Sequence, residues 1–192
     1  MDIVSHGLWG GIAFGRTNRR NFWMAFFFGI LPDLFSFGPF FLATFLGLAE
    51  RPHFSHEPPD PSLIPAYVHR AYRVTHSLVV FLVAFALMWV VFRKPIWESF
   101  AWGLHIIFDI FTHSYRFFPT PFLWPMSDVK VNGWPWGMPA IFIPNVILLA
   151  LLYAWFLLRQ RKESKRSSHA FLEGEEASRP PKNPGRRGID LS

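Results

Sequence analysis

Six ionisable residues stand within, or at the edge of, stretches of the sequence that are otherwise almost entirely apolar. They are His6, Asp33, His76, His105, Asp109 and His113. An ionisable side chain in a lipid-buried segment is costly unless it is paired, hydrated or bound to a cation. All six are of types that bind metal ions. We therefore predict that they converge on one polar site.

The C-terminal part of this set follows a helical spacing. His105, Asp109, Thr112 and His113 stand at offsets 0, +4, +7 and +8. At about 100° per residue they cover roughly a third of a helix circumference. A histidine and a carboxylate one turn apart can bind the same cation, as in helix-bundle metal sites. Because the chain has no cysteine, the donor set suits Zn first, with Mn or Fe(II) as alternatives.

The composition indicates a membrane protein. The 192 residues are 51% hydrophobic, with 23 Phe and 9 Trp against 13 acidic residues, which is too apolar for a soluble domain. Residues 139–158 form an uncharged run about long enough to cross the hydrocarbon core. The net charge of +6 does not indicate nucleic-acid binding, because most basic residues flank apolar segments or lie near the C-terminus. We expect them to contact lipid headgroups instead.

The apolar pattern predicts an all-α, polytopic bundle of five to six helices. The predicted helices are 4–14, 22–31, 36–48, about 76–92, about 96–116 and 140–158. Pro32 should end or kink the second helix and leave Asp33 just past the break. Residues 50–66 and 119–138 are predicted to be loops outside the apolar helices. His53 and His56 lie in the first of these loops and are predicted to be solvated.

The distribution of Lys and Arg predicts an orientation. Segments 16–20, 93–94 and 159–166 hold ten basic residues, against five in the opposite loops, so the first set should be cytoplasmic. Residues 1–158 would then form a membrane domain in the cytoplasmic (inner) membrane of a bacterium or archaeon. Residues 159–192 would form a charged, disordered cytoplasmic tail.

Five short motifs carry a family resemblance. They are Ser5-His6-Gly7, Leu31-Pro32-Asp33, Thr75-His76-Ser77-Leu78, His105-x3-Asp109-x2-Thr112 and Pro121-Phe-Leu-Trp-Pro125. In these motifs, over about residues 4–126, the chain resembles the predicted membrane-bound metal-dependent hydrolases, relatives of the LexA-binding inner-membrane hydrolase. The resemblance implies a divalent metal and hydrolysis, and no particular substrate. Members often carry a second acid where this chain has Phe35, which leaves open whether one ion or two are bound.

Together these observations predict a function. The predicted metal ligands are His6, Asp33, His76, His105 and Asp109, and the predicted catalytic residues are Asp109 and His113. An ion held there would activate water toward a phosphoester or lipid-linked substrate reached from the membrane. Two alternatives stay open: a non-catalytic membrane adaptor with a structural metal, and an ion or proton pathway.

Overall fold

Every regular element that the structure describes is helical. The computed structural model describes residues 1–49 and 63–178. The helices are α1 (Ile3–Phe14), α2 (Arg19–Phe45), α3 (Ala66–Thr75), α4 (Leu78–Phe92), α5 (Phe100–Thr112) and α6 (Pro139–Ser178), with a short 3-10 turn at Trp97–Ser99 before α5. The all-α prediction is confirmed. His53 and His56 lie outside the described residues, so the prediction for them stays a prediction.

Helices α1 and α2 pack closely because glycines line their contact. A Cβ placed on Gly29 of α2 would lie 2.6 Å from the carbonyl oxygen of His6 in α1. A Cβ placed on Gly10 of α1 would lie 2.7 Å from the carbonyl oxygen of Ala25. Small residues allow helices to approach each other in this way within lipid. The close contact brings His6 toward the face of α2 that carries Asp33.

Helix α2 corrects one prediction. Residues 22–31 and 36–48 were expected to form two helices divided at Pro32, but α2 is a single helix that contains both Pro32 and Pro39. Proline removes one backbone hydrogen bond, and membrane helices tolerate this loss when neighbouring groups satisfy the freed backbone atoms. The carbonyl that loses its donor is that of Phe28, four residues before Pro32, and α2 continues through it. Asp33 therefore lies inside α2, not beyond its end.

Helices α3 and α4 meet at a bend of 62°, where His76 and Ser77 separate them. The sequence predicted α4 but not α3. At the bend the Ser77 side chain accepts from the Val80 N–H at 3.2 Å, and the Leu78 N–H donates to the Phe122 carbonyl at 2.9 Å. Non-helical backbone at membrane depth is tolerated where protein covers it. Both His76 and Ser77 are fully buried, so the bend places a histidine inside the protein.

The helices fall into two length classes. Within the described residues, α2 and the Pro139–Gln160 part of α6 are long and apolar enough to cross a membrane, and the bent α3–α4 pair would add a third span. Helices α1 and α5 have 12 and 13 residues, or roughly 18–20 Å, which is short of the ~30 Å hydrocarbon core. The predicted orientation, which had α1 and α5 crossing, stays a prediction.

The chain divides into two units, residues 1–150 and 151–192. The first contains α1 to α5 and the start of α6. In the second, the backbone stays helical to Ser178, twenty residues beyond the predicted end at Leu158. Residues 179–192 lie outside the described part of the chain, and the disorder predicted for them stays a prediction.

Candidate metal centre

The structure brings the six residues of the sequence pattern together from four places in the fold. His6 comes from α1, Asp33 from α2, His76 from the α3–α4 bend, and the other three from α5 and its C-terminal cap. His6, His76, His105 and Asp109 are at most 1% exposed, and His113 is 8% exposed. The Asp33 side chain is the most open at 14%. Four separate elements thus bring ionisable side chains together in the protein interior.

Four of these residues form what we call the four-ligand group: Asp33, His76, His105 and Asp109. Each offers one ligand atom, and these atoms all lie within 4.8 Å of one another. With bonds of about 2.1 Å, neighbouring ligands of one ion are separated by roughly 3.0–3.4 Å. Asp109 Oδ2 lies 3.3 Å from His105 Nε2 and 3.5 Å from His76 Nε2. Asp33 Oδ1 lies 3.4 Å from His76 Nε2. The group could hold a metal ion.

The hydrogen-bond partners of Nδ1 in His105 and His76 determine which nitrogen of each ring carries the hydrogen. His105 Nδ1 lies 2.7 Å from the Gly29 carbonyl oxygen, so Nδ1 carries the hydrogen. The Thr75 hydroxyl donates to the Ala71 carbonyl and lies 3.0 Å from His76 Nδ1, so His76 donates from Nδ1 as well. This assignment leaves an unprotonated Nε2 on each neutral ring.

The facing atoms then need a cation. The two Nε2 atoms are 3.0 Å apart, and two lone pairs at that distance repel unless a proton or metal ion lies between them. Asp109 Oδ2 is buried, and among the described residues no group donates a hydrogen bond to it. An unsatisfied buried acceptor costs about 1–3 kcal/mol, and more when it is charged. The donors of the four-ligand group therefore fit a divalent ion.

The opposite oxygen of Asp109 faces a different set of groups. Asp109 Oδ1 lies 2.9 Å from His6 Nε2 and 3.6 Å from His113 Nε2. The ammonium group of Met1 also contacts this oxygen. The His6 ring stacks on His105, with centroids 3.6 Å apart. Of the predicted ligands, His6 thus lies against Oδ1, outside the four-ligand group.

His113 is held by the chain that follows α5. Its Nδ1 lies 2.8 Å from the Phe118 carbonyl oxygen and 3.1 Å from the Tyr72 hydroxyl. Burial lowers the pKa of the His113 imidazole below its ordinary value, because desolvation disfavours the charged ring. A neutral His113 that donates from Nδ1 presents a lone pair at Nε2.

Several supporting residues were not identified from the sequence. The Tyr72 ring stacks on His76, with centroids 3.7 Å apart, and the Trp102 indole N–H donates to the Thr75 carbonyl at 2.6 Å. Tyr72 stands one helical turn before His76, a spacing that could have pointed to it. The role of Gly29 had no comparable signal, because a backbone carbonyl accepts hydrogen bonds in every residue type.

Comparison with known proteins gives a family and a location. No curated protein and no solved structure matches the chain. A family model described as YdjM inner membrane protein matches residues 1–172, which includes every helix up to the last part of α6. The apolar spans agree with that location. The chain therefore belongs to the YdjM inner membrane protein family.

Proposed function

We propose that this inner-membrane protein is a metal-dependent hydrolase whose ion is held by Asp33, His76, His105 and Asp109. The observation that carries the proposal is the 3.0 Å between His105 Nε2 and His76 Nε2, beside Asp109 Oδ2, to which no group in the described part of the chain donates a hydrogen bond. A divalent ion bound there supplies a Lewis acid that activates water for hydrolysis at neutral pH. Zn suits the imidazole and carboxylate donors best, and Mn or Fe(II) are alternatives.

The protein's own residues set the charge and the orientation of this group. Two carboxylates, from Asp33 and Asp109, offset the charge of a divalent ion, so the loaded site would be neutral in its apolar surroundings. The carbonyl behind His105 and the hydroxyl behind His76 fix the tautomer of each ring. Partners of this kind raise ligand basicity and hold the ring orientation in metal sites.

The open edge of the group supports a substrate that arrives through the membrane. Asp33 is its most exposed member, and the next two residues on α2, Leu34 and Phe35, are 43% and 66% exposed. Since α2 is long enough to cross the membrane, apolar residues exposed on it would face lipid in that arrangement. A lipid-linked substrate could reach Asp33 along this edge. A phosphoester or an ester is the bond that such a site would hydrolyse.

The α3–α4 bend favours one other function. Broken helices with polar ligands at the break are typical of transporters, and His76 stands at such a break. A cation pathway would carry ions across liposomes and would hydrolyse nothing. A structural metal in an adaptor would be retained without hydrolysis or flux.

One set of measurements separates these functions. Protein purified in detergent without chelators, and supplied with Zn and Mn, should retain at least one ion per chain by elemental analysis. Reconstituted in lipid, it should hydrolyse members of a phosphoester and ester panel, and chelation should abolish the activity until metal is restored. Retention of no metal would contradict the proposal. Metal without hydrolysis would favour the adaptor, and metal-coupled ion flux would favour the pathway.

A further inference from the structure

A group of exposed aromatic and apolar side chains lies in the segment that joins α5 to α6. These residues, which we call the aromatic rim, are Tyr115, Met126, Val129, Trp134 and Trp136, and they are between 36% and 81% exposed. Large exposed apolar patches mark surfaces that bind a partner or a membrane. Trp and Tyr are enriched where a membrane protein meets the lipid headgroups. The composition of the rim therefore fits the interfacial layer of a bilayer.

Backbone hydrogen bonds hold the rim against the end of α5. The Trp134 N–H donates to the Phe111 carbonyl at 2.9 Å, and the Trp136 N–H donates to the Thr112 carbonyl at 3.0 Å. Thr112 is the last residue of α5, and α6 begins at Pro139, three residues after Trp136. Three residues of chain reach at most about 11 Å. The start of the apolar helix α6 therefore lies close to the end of α5.

The same segment is bonded to the start of α4. The Leu78 N–H donates to the Phe122 carbonyl at 2.9 Å, and the Ser77 hydroxyl donates to the Trp124 carbonyl. Helix α4 begins at Leu78 and contains fifteen residues, none of them charged. The segment thus connects the start of α4, the end of α5 and the start of α6. Apolar helices that begin or end together in this way enter the hydrocarbon core from one interface.

Two guanidinium groups flank the polar cluster in the sequence near this junction. Arg73 precedes His76 by three residues, and Arg116 follows His113 by three residues. Both arginines are exposed. Arginine at the end of a membrane helix extends toward the headgroups, and its planar guanidinium pairs with phosphate oxygens. The charge beside the rim therefore complements the phosphates of a lipid surface.

We propose that the aromatic rim lies in the headgroup layer of the membrane and places the polar cluster at the depth of the lipid phosphates. Asp109 stands three residues before Thr112, or about 4.5 Å along the helix axis. The carbonyl that binds the Trp136 N–H is thus less than one helical turn from the cluster. The consequence for the substrate rests on the proposed function. The bond presented to the cluster is a phosphoester in the headgroup of a membrane lipid, and not a bond deep among the acyl chains.

Spin labels can measure this depth directly, because the chain has no cysteine and each introduced cysteine is labelled alone. Met126→Cys and Trp134→Cys report on the rim. Leu87→Cys is the control, because it is 60% exposed and lies nine residues, or about 13 Å, along α4 from Leu78. Each labelled full-length protein is reconstituted in vesicles of phosphatidylcholine and phosphatidylglycerol. Its accessibility to oxygen and to a water-soluble nickel chelate is measured by electron paramagnetic resonance, and thermal unfolding checks that the fold is kept.

Both rim labels should lie within the headgroup layer, which is roughly 5–7 Å thick, and the Leu87 label should lie about 10 Å deeper. A rim label that is as accessible to the nickel chelate as a label in bulk water would overturn the proposal. A rim label as deep as the Leu87 label would overturn it as well.

The substrate is tested in the same vesicles with metal supplied. The wild type should hydrolyse a phosphomonoester lipid faster than p-nitrophenyl phosphate, which is soluble in water. Faster hydrolysis of the soluble compound, or hydrolysis of carboxylic esters alone, would overturn the headgroup substrate. If the rim labels lie at headgroup depth but no phosphoester or ester is hydrolysed, the proposed function is overturned and the placement of the rim stands.

Discussion

Helices α2 and α6 are both long and apolar enough to cross a membrane, yet they relate to the site in opposite ways. In the most apolar part of α2, 28% of the residues are buried within the protein, whereas Leu149 is the one buried residue in the 139–150 part of α6. Helix α2 supplies Asp33 to the four-ligand group and the Gly29 carbonyl to His105. Helix α6 supplies none of the six residues of the cluster. Helix α2 thus lines the site, whereas α6 is a candidate membrane span that supplies none of its residues.

The more apolar helix is the less buried one, since the mean hydropathy is 2.4 for α6 and 1.6 for α2, and small residues distinguish the two. The buried residues of α2 recur every three or four positions, and most are small: Ala25, Gly29, Pro32, Ser36 and Phe40. Helix α6 instead exposes large side chains such as Ile147 and Leu148, at 53% and 49%. Because lipid is as apolar as leucine, helices in a membrane associate through small residues and polar contacts. A small-residue stripe therefore marks the helix that faces protein.

The largest effect should come from Asp109→Asn. The substitution keeps the size of the side chain but removes the negative charge that both sides of the cluster share. We expect metal retention to fall by more than the 10–100-fold typical of losing a partner behind a ligand, and hydrolysis to be abolished. Elemental analysis and activity in lipid measure both. The matched control is Asp128→Asn, at an exposed loop position, and loss of metal there as well would show that the effect is not local.

Gly29→Ala should have the next largest effect, a loss of stability, and it tests the close contact between α1 and α2. The new Cβ would lie 2.6 Å from the carbonyl oxygen of His6, and backbone cannot turn aside as a flexible side chain can. Overpacking of this kind costs about 1–3 kcal/mol. Gly38→Ala on the same helix would meet only the Leu34 side chain, with Cδ1 at 3.3 Å and Cγ at 3.8 Å, and should be neutral or slightly stabilising. Equal unfolding temperatures for the two variants would contradict the close α1–α2 contact.

Much of this site was predictable because ionisable side chains are rare in apolar segments. Every member of the predicted set is in the cluster, and the assignment of individual roles to them stays a prediction. The spacing of His105 and Asp109 placed both on one helix face, as α5 shows. The sequence could not show that Asp109 uses its two oxygens in different directions. That division depends on how α1 and the α3–α4 bend approach α5, which is a matter of tertiary packing.

The errors in the predicted fold have local causes. Pro32 was expected to divide α2. Membrane helices tolerate a proline where neighbouring groups hydrogen-bond the backbone carbonyl that the proline leaves without a donor. Helix α3 was missed because Tyr67, His69, Arg70 and Arg73 make it too polar for an apolar-run criterion. Its amphipathic pattern places Val68 and Tyr72 inside, both at most 3% exposed. Periodicity, applied to that segment, would have been the better guide.

A smaller effect is expected at Thr75, which supports a ligand without being one. Thr75→Val preserves the shape of the side chain and removes the acceptor for His76 Nδ1. Metal affinity should fall by about 10–100-fold, with little loss of fold, and competition with a fluorescent chelator would measure it. Thr44→Val is the matched control. Like Thr75, Thr44 donates to the carbonyl four residues earlier, that of Phe40, but it is not next to a predicted ligand in the sequence. Unchanged affinity in Thr75→Val would refute the tautomer assigned to His76.

The smallest effect should come from Asn145, the residue that ties the start of α6 to α1. Its side-chain oxygen accepts from the Trp9 indole N–H at 2.8 Å, and its amide nitrogen donates to the Ser5 hydroxyl at 2.8 Å. Hydrogen bonds between membrane helices contribute on average about 0.6 kcal/mol and at most about 1.7 kcal/mol. Asn145→Leu should therefore lower the free energy of unfolding within that range, and metal content should not change.

A double-mutant cycle with Trp9→Phe isolates the hydrogen bond itself, because each single change also alters packing. The coupling energy should be near 0.6 kcal/mol if the bond forms and near zero if it does not. The metal measurement on the same variants decides the larger question. Ser5 precedes His6 in α1, so a change at Asn145 that released the ion would mean that α6 positions a ligand through Ser5. In that case α6, like α2, would help to position the site, and the contrast between the two helices would be wrong.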